Sequence, residues 1–219
     1  NYEEVPEIIS LCEKLGVNWW MHYNFVPTGR GKEIVEADLT PEMREELLKM
    51  IYERNRHSSI SLLSTAPQYA RVALQCEMGG FIPTHFYNIE VSGKGEGILR
   101  LAELIGGCGA GRMYIALEPN GDIQPCVFLP IKVGNILEDD FEALWRSNKV
   151  FNDLRNRDLL EGNCGNCPFK YVCGGCRARA YAYFGDYLAP DPGCIYNVEW
   201  WNRVIERFSV ITKKIETTY

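Results

Sequence analysis

No apolar run in the 219 residues approaches the roughly 18–20 residues of a membrane span, so a helical membrane protein is not expected. Surplus positive charge is missing too: 23 Lys and Arg stand against 29 Asp and Glu, a net charge of −6 with a pI near 5.2. That balance argues against a nucleic-acid or anionic-membrane surface as partner. There are no internal repeats and no low-complexity segments. The three histidines, His22, His57 and His85, lack any spacing that suggests a metal or nucleophilic site, and His57 beside Arg56 and Ser58 reads as solvated. "PTGRG" lacks the Gly-Lys-Ser/Thr ending of a phosphate loop. The chain opens on "NYEEVPEIISLCEKLG", a charged amphipathic helix rather than a signal peptide, so a cytoplasmic, reducing compartment is expected. In such a compartment thiols bind metals more often than they pair as disulfides. What is present is 46% hydrophobic and 12% aromatic residues, enough for a real core.

The periodicity predicts a helix over residues 2–15 stopping at Gly16. "VNWWMHYNFV" reads as a buried strand and "PTGRGKEIVEAD" as a Gly-rich loop. "LTPEMREELLKMIYERNR" reads as a helix with Thr40 as N-cap and Pro41 in first position. "SSISLLST" reads as a short strand, and "APQYARVALQC" as a helix. This rhythm is that of a parallel α/β unit. Residues 77–97 look irregular, and a helix over "ILRLAELIGG" leads to Cys108. "RMYIALEPNGDIQPCVF" reads as a hairpin, with Asn120-Gly121 expected to form a type I′ turn. Two short helices follow, then the cysteine segment, then a closing helix. Trp19, Trp20, Trp200 and Trp201 are expected in the core or in subunit contacts. Two parallel strands cannot close a sheet alone. The chain therefore reads as the end of an α/β domain over 1–100, followed by a small irregular α+β cysteine-rich domain over 101–219.

Nine cysteines are an odd number, so no closed disulfide set is available. Seven lie beyond residue 100: Cys108, Cys126, Cys164, Cys167, Cys173, Cys176 and Cys194. A zinc ribbon separates its C-x2-C pairs by about 15–20 residues, whereas five separate them here. Soft thiolates from short irregular loops suit an iron–sulfur core, the favoured reading, while a zinc-binding structural or interaction module stays open. Gly174 and Gly175, between two thiols, would let backbone approach a metal site and aim N–H groups at sulfur. Arg177 and Arg179 follow, read either as charge compensation or as a solvated helix face. Cys12 and Cys76 read as small buried hydrophobes, with Cys76 a further ligand candidate.

The pattern C-x12-G-x4-C, C-x2-C-x5-C-x2-C, C resembles the SPASM domain, which follows the barrel of many radical S-adenosylmethionine enzymes and binds auxiliary iron–sulfur clusters. Cys176 departs by one residue from that pattern. "CGGCRARAYAYFGDYLAPDPGC" is similar to the subgroup that acts in alternative-haem and haem d1 biosynthesis and in related cofactor maturation, where the shorter spacing recurs. The resemblance implies that residues 1–100 are the end of a partial (β/α) barrel. It also implies one auxiliary cluster, expected as 4Fe-4S, on Cys164, Cys167, Cys173 and Cys194, and a second on Cys108, Cys126 and Cys176. Asn24, Thr28 and Arg30 would lie on the S-adenosylmethionine or substrate side, at the C-terminal end of a barrel strand, unless they form only a structural turn.

The family's catalytic C-x3-C-x2-C triplet does not occur in these residues. The chain alone is therefore expected to be inactive, as part of a longer protein or as a degenerate homologue. For the full-length protein the resemblance implies S-adenosylmethionine, a third 4Fe-4S cluster, and a reductant such as ferredoxin or flavodoxin. The implied substrate is a tetrapyrrole, or a peptide or another cofactor precursor, oxidised through a 5′-deoxyadenosyl radical.

Overall fold

A computed structural model describes residues 1–76, 80–83, 88–91 and 107–216, with strand residues 80–83 and 88–91 and helix end 209–216 given by backbone alone. The expected domain boundary near 100 and the helix leading to Cys108 lie outside the described residues, as does His85.

Helix α1 (Val5–Leu15) has a proline in its first turn and ends where Gly16, at φ +67°, turns its N–H back to the Cys12 and Glu13 carbonyls. Strand β1 (Trp19–His22) follows, then a 3₁₀ segment, Gly29–Ala37, kinked at Ile34, where the sequence predicted a loop. Helix α2 (Pro41–Asn55) starts where the Thr40 side chain accepts the Met43 N–H at 3.2 Å. Strand β2 (Ser61–Ser64) pairs parallel with β1, from Trp19 opposite Ser61 to His22 opposite Ser64. Helix α3 (Gln68–Cys76) packs on α2. Ile9, Leu48, Ile51, Tyr52, Leu62 and Val72 form the core between these elements, with Cys12, Cys76 and Trp20 against its margin. Among the described residues the parallel sheet has two strands and no barrel closes. Trp19 is 69% exposed, so β1 is not the buried strand its composition suggested: its first residue stands at a sheet edge that is open among the described residues.

The stretch expected to be irregular contains strands β3 (Gly80–Pro83) and β4 (Asn88–Val91), an antiparallel pair. Further on, β5 (Ala116–Leu117), β6 (Asp122–Gln124) and β7 (Gly134–Asn135) make a three-stranded antiparallel sheet. The β5–β6 turn is not type I′. Only Gly121 has positive φ, at +88°, and its N–H bonds the Glu118 carbonyl at 2.9 Å. That is a four-residue turn with Pro119 second and a left-handed glycine closing it, because proline cannot take positive φ. Helices α4 (Phe141–Ser147) and α5 (Lys149–Arg155) cover this sheet through Phe151, Leu144 and Trp145. Short α6 (Gly162–Asn166), α7 (Arg177–Phe184) and long α8 (Val198–Glu216) complete the chain. Trp201 is buried against Tyr183, edge-on, and Trp200 stacks edge-on to Phe184. Among the described residues no helix is long and apolar enough to cross a membrane.

A buried ionic network joins the two ends of the chain. Arg179, fully buried, donates to Asp38 at 2.8 Å, to Asp191 at 3.1 Å and to the Phe25 carbonyl. Asp38 also receives Arg44 and the Tyr183 hydroxyl. Asp191 also receives Gln68 at 2.7 Å and the Cys176 and Gly193 N–H groups. Arg177 and Arg179 are thus 1% and 0% exposed, which overturns the solvated-face reading.

Removing Asp38 would leave Arg44 and Arg179 facing each other without water. Asp38→Asn should destabilise the protein by about 3–5 kcal/mol in chemical denaturation, the size expected when a buried ion pair loses one partner. Glu53→Gln, at an exposed ion pair with Arg56, should leave the midpoint unchanged. His22, hydrogen-bonded through Nδ1 to Ser64, has its pKa pushed down from 6.5 to about 4 by burial and by the Arg44 charge. The unfolded chain binds this proton more readily, so the stability from this group is complete above 6.5 and is lost as pH falls toward 4. Between about pH 7 and about pH 5.5 the loss should be about 1 kcal/mol, absent in His22→Gln.

Candidate metal centres

The seven distal thiols lie around two separate spaces. Cys164, Cys167, Cys173 and Cys194 line a narrow gap of about 20 Å³ together with Gly174, Gly175 and Asn197. Cys108, Cys126 and Cys176 line a cavity of about 340 Å³, with Tyr23, Asn24, Tyr114, Val127 and Phe128 on its walls. Cys12 and Cys76 line neither, and pack instead against the helical core. Asn24 reaches the cavity wall, while Thr28 and exposed Arg30 lie outside the lining.

Local backbone explains the sorting. Cys164 sits on α6 and Cys167 caps its end, so a single short turn aims both thiols the same way. Gly174 and Gly175 both have φ +62°. Two successive left-handed residues reverse the chain, so that Cys173 faces the gap and Cys176, at the start of α7, faces the cavity. A Cβ on Gly174 would collide with Arg157 Nη1, and one on Gly175 would lie 2.6 Å from Arg177 Nη2. Cys108 is tied to the other set by its N–H, which bonds the Cys173 carbonyl at 3.3 Å.

Donors converge on sulfur. The Gly175 N–H reaches Cys173 Sγ at 3.4 Å, the Phe169 N–H reaches Cys167 Sγ at 3.4 Å, and Asn197 Nδ2 reaches Cys164 Sγ at 3.5 Å. In the cavity the Phe128 N–H is 3.5 Å and the Tyr114 hydroxyl 3.9 Å from Cys126 Sγ. Donors of this kind stabilise negative charge on sulfur and tune a cluster's potential. Burial pushes the Cys173 thiol up to about 12 and raises Cys126, Cys176 and Cys194 as well. These thiols stay protonated near neutral pH unless a metal displaces the proton. Burial also works against the charged Asp191 carboxyl, but Arg179 and the Cys176 N–H hold it below the usual carboxylate range.

The residues present fit an anionic thiolate cluster. Arg157 Nε and Nη1 and Arg177 Nη2 are buried with no hydrogen-bond partner, and neither side chain has a carboxylate within ion-pair distance among the described residues. An uncompensated buried cation is costly, and a negatively charged core beside it removes that cost. Sequence spacing did not single out Arg157, Tyr114 or Arg71, which pairs with Glu45 at the gap's edge. Their contacts arise from residues far apart in the chain.

A family model described as SPASM, iron–sulfur cluster-binding domain, matches residues 108–168. An AdoMet-dependent heme synthase from Methanosarcina barkeri is 38% identical over 197 residues, covering 90% of this chain and 53% of that protein. A PqqA peptide cyclase from Rhizobium meliloti is 34% identical over 92 residues, covering 40% of this chain and 24% of the other. Structures of SuiB from Streptococcus suis, alone and bound to S-adenosylmethionine, give TM-scores of 0.56 and 0.51 at 17% and 18% identity, over 89% of this chain and 43% and 41% of theirs. That likeness shows the fold. The chain spans about half the length of the heme synthase it matches. Motif, family model and relatives agree: residues 108–168 form a SPASM iron–sulfur cluster-binding domain, in a chain similar along 90% of its length to an AdoMet-dependent heme synthase.

Proposed function

We propose that this chain holds the two auxiliary iron–sulfur clusters of a radical S-adenosylmethionine oxidoreductase whose substrate is a tetrapyrrole precursor. The sorting of seven thiols around two spaces carries the reading. Cys164, Cys167, Cys173 and Cys194 would hold one cluster. Cys108, Cys126 and Cys176 would hold the other, three thiolates that leave one coordination position for substrate or solvent. When bound, the clusters supply one-electron transfer and an iron open to a ligand. The tetrapyrrole rests on the similarity to a heme synthase along 90% of the chain. The C-x3-C-x2-C triplet, a third cluster, S-adenosylmethionine and an electron donor such as ferredoxin or flavodoxin belong to the reading of the whole protein.

The chain's own side chains have definable tasks in this reading. Burial would shield Cys164, Cys173 and Cys194 from water, with Cys167 half-buried, and the N–H donors would set the charge on sulfur. The apolar walls at Val127, Phe128 and Val26 would take a flat organic ring system. Asn24 Nδ2, buried and without a partner among the described residues, stands on the same wall as a donor for an oxygen of the substrate. Peptide modification is the second reading, and the partial match to a peptide cyclase favours it. A zinc module is the reading from another class. Among the described residues no three His, Cys, Asp or Glu converge tightly enough for a single ion, whereas a tetrahedral zinc needs ligands about 2.3 Å from one centre.

Full-length protein purified without oxygen should be brown and should contain iron and sulfide. Cys164→Ala and Cys126→Ala should each lose about four irons, and the double variant about eight. Zinc in a colourless preparation would refute the clusters. Absorption titration with a tetrapyrrole should show saturable binding that Val127→Trp weakens about tenfold or more by narrowing the cavity. Binding of a peptide substrate, with no response to tetrapyrroles, would move the reaction to the second reading.

A further inference from the structure

We infer that Arg157 is a shared counter-cation for the two thiol sets, a positioning residue that makes both auxiliary clusters easier to reduce. The inference rests on the two-cluster reading above. Arg157 is 3% exposed and lies between the sets. Its Nη2 donates to the Cys108 carbonyl at 2.7 Å. Its Nη1 packs against Gly174, the residue after Cys173, so closely that a methyl group there has no room. Cys108 and Cys173 are themselves linked by a backbone hydrogen bond. One guanidinium thus touches a ligand-bearing segment of each set.

Its charge is not spent elsewhere. Arg44, Arg71 and Arg179 each pair with a carboxylate, Asp38, Glu45, or Asp38 and Asp191. Among the described residues Arg157 has none within ion-pair distance, and its Nε and Nη1 have no hydrogen-bond partner. Its electrostatic surroundings are the thiols of Cys108 and Cys173 and two further cations, Arg112 and Arg177. A thiolate cluster becomes more negative on reduction. A fixed cation in a water-poor site therefore favours the reduced form, and it does so for each cluster within reach of its field. Gly174 keeps the guanidinium close, because any side chain there would displace it.

The test is an EPR-monitored redox titration of the full-length, cluster-loaded protein in three forms: wild type, Arg157→Gln and Arg157→Lys. Arg157→Gln should lower the reduced-to-oxidised ratio of both auxiliary clusters about tenfold at a fixed solution potential, a shift of about 59 mV for a one-electron couple. Arg157→Lys keeps the cation and should restore most of the shift. A packing role alone would move stability but not potential. A shift confined to one cluster, or no shift with both loaded, overturns the inference. If Arg157→Gln does not load, Arg157→Lys decides: potentials near wild type support the inference, and a large fall in either overturns it. Failure of both variants to load marks Arg157 as a packing residue and also overturns it. Fewer than two auxiliary clusters in the wild type would instead refute the proposed function.

Discussion

The salt-bridged chain Asp38–Arg179–Asp191 is the constraint on which the rest of this structure depends. Asp38 belongs to the segment between β1 and α2, Arg179 to α7, and Asp191 to the loop before Cys194. A buried ion pair contributes little net stability over an apolar contact, because its desolvation cost is large. What it contributes is a unique arrangement. A guanidinium presents its donors in a fixed fork, so two carboxylates and a backbone carbonyl define where α7 must lie. Sliding α7 by one residue would leave Arg179 and Asp191 buried and unpaired, with Asp38 holding Arg44 alone.

That constraint passes directly to the thiols. Asp191 accepts the Cys176 N–H at 2.8 Å with one oxygen and Arg179 with the other. Cys194 in turn closes on the Asp191 carbonyl through its own N–H. One cysteine of each set is therefore positioned by the residue that locks the two ends of the chain together. The glycine pair then does the separating. With two left-handed residues between them, Cys173 and Cys176 face different spaces although only three positions apart. A side chain at either glycine would strike Arg157 or Arg177, so backbone freedom and close approach are both required there.

What could be read from sequence was local. Thr40 before Pro41 marks the start of α2, and Gly16 the end of α1. Each signal lies within a few residues of what it specifies. The misreadings also have local causes. Asn120-Gly121 suggests a type I′ turn as a dipeptide, but Pro119 before it enforces negative φ and shifts the turn by one residue. "RARA" looks like a solvated face because arginine is seldom buried, and its partners Asp38 and Asp191 lie 141 and 12 positions away. Trp19 looks like core, yet the sheet edge it occupies is open among the described residues. Arg157 carries no pattern at all. Its place depends on Cys108, 49 positions earlier in the chain.

The buried arginines fall into two classes, and their locations differ. Arg44 and Arg179, paired with carboxylates, fasten the junction of the two ends, and Arg71 with Glu45 fastens α3 to α2. Arg157 and Arg177, without carboxylates among the described residues, stand behind the two glycines that divide the thiols. A protein that only needed to pack would place neutral side chains there, since an unpaired buried cation is among the costlier things a core can hold. Cys173 and Cys176, on either side of those glycines, are raised by burial and hence neutral without metal, so they cannot balance that charge as they are. In the proposed reading, exchange of those thiol protons for an iron–sulfur core would convert the surroundings from neutral to anionic in one step. The charge that destabilises the empty fold would then stabilise the loaded one, and cluster binding would be part of folding in this half of the chain.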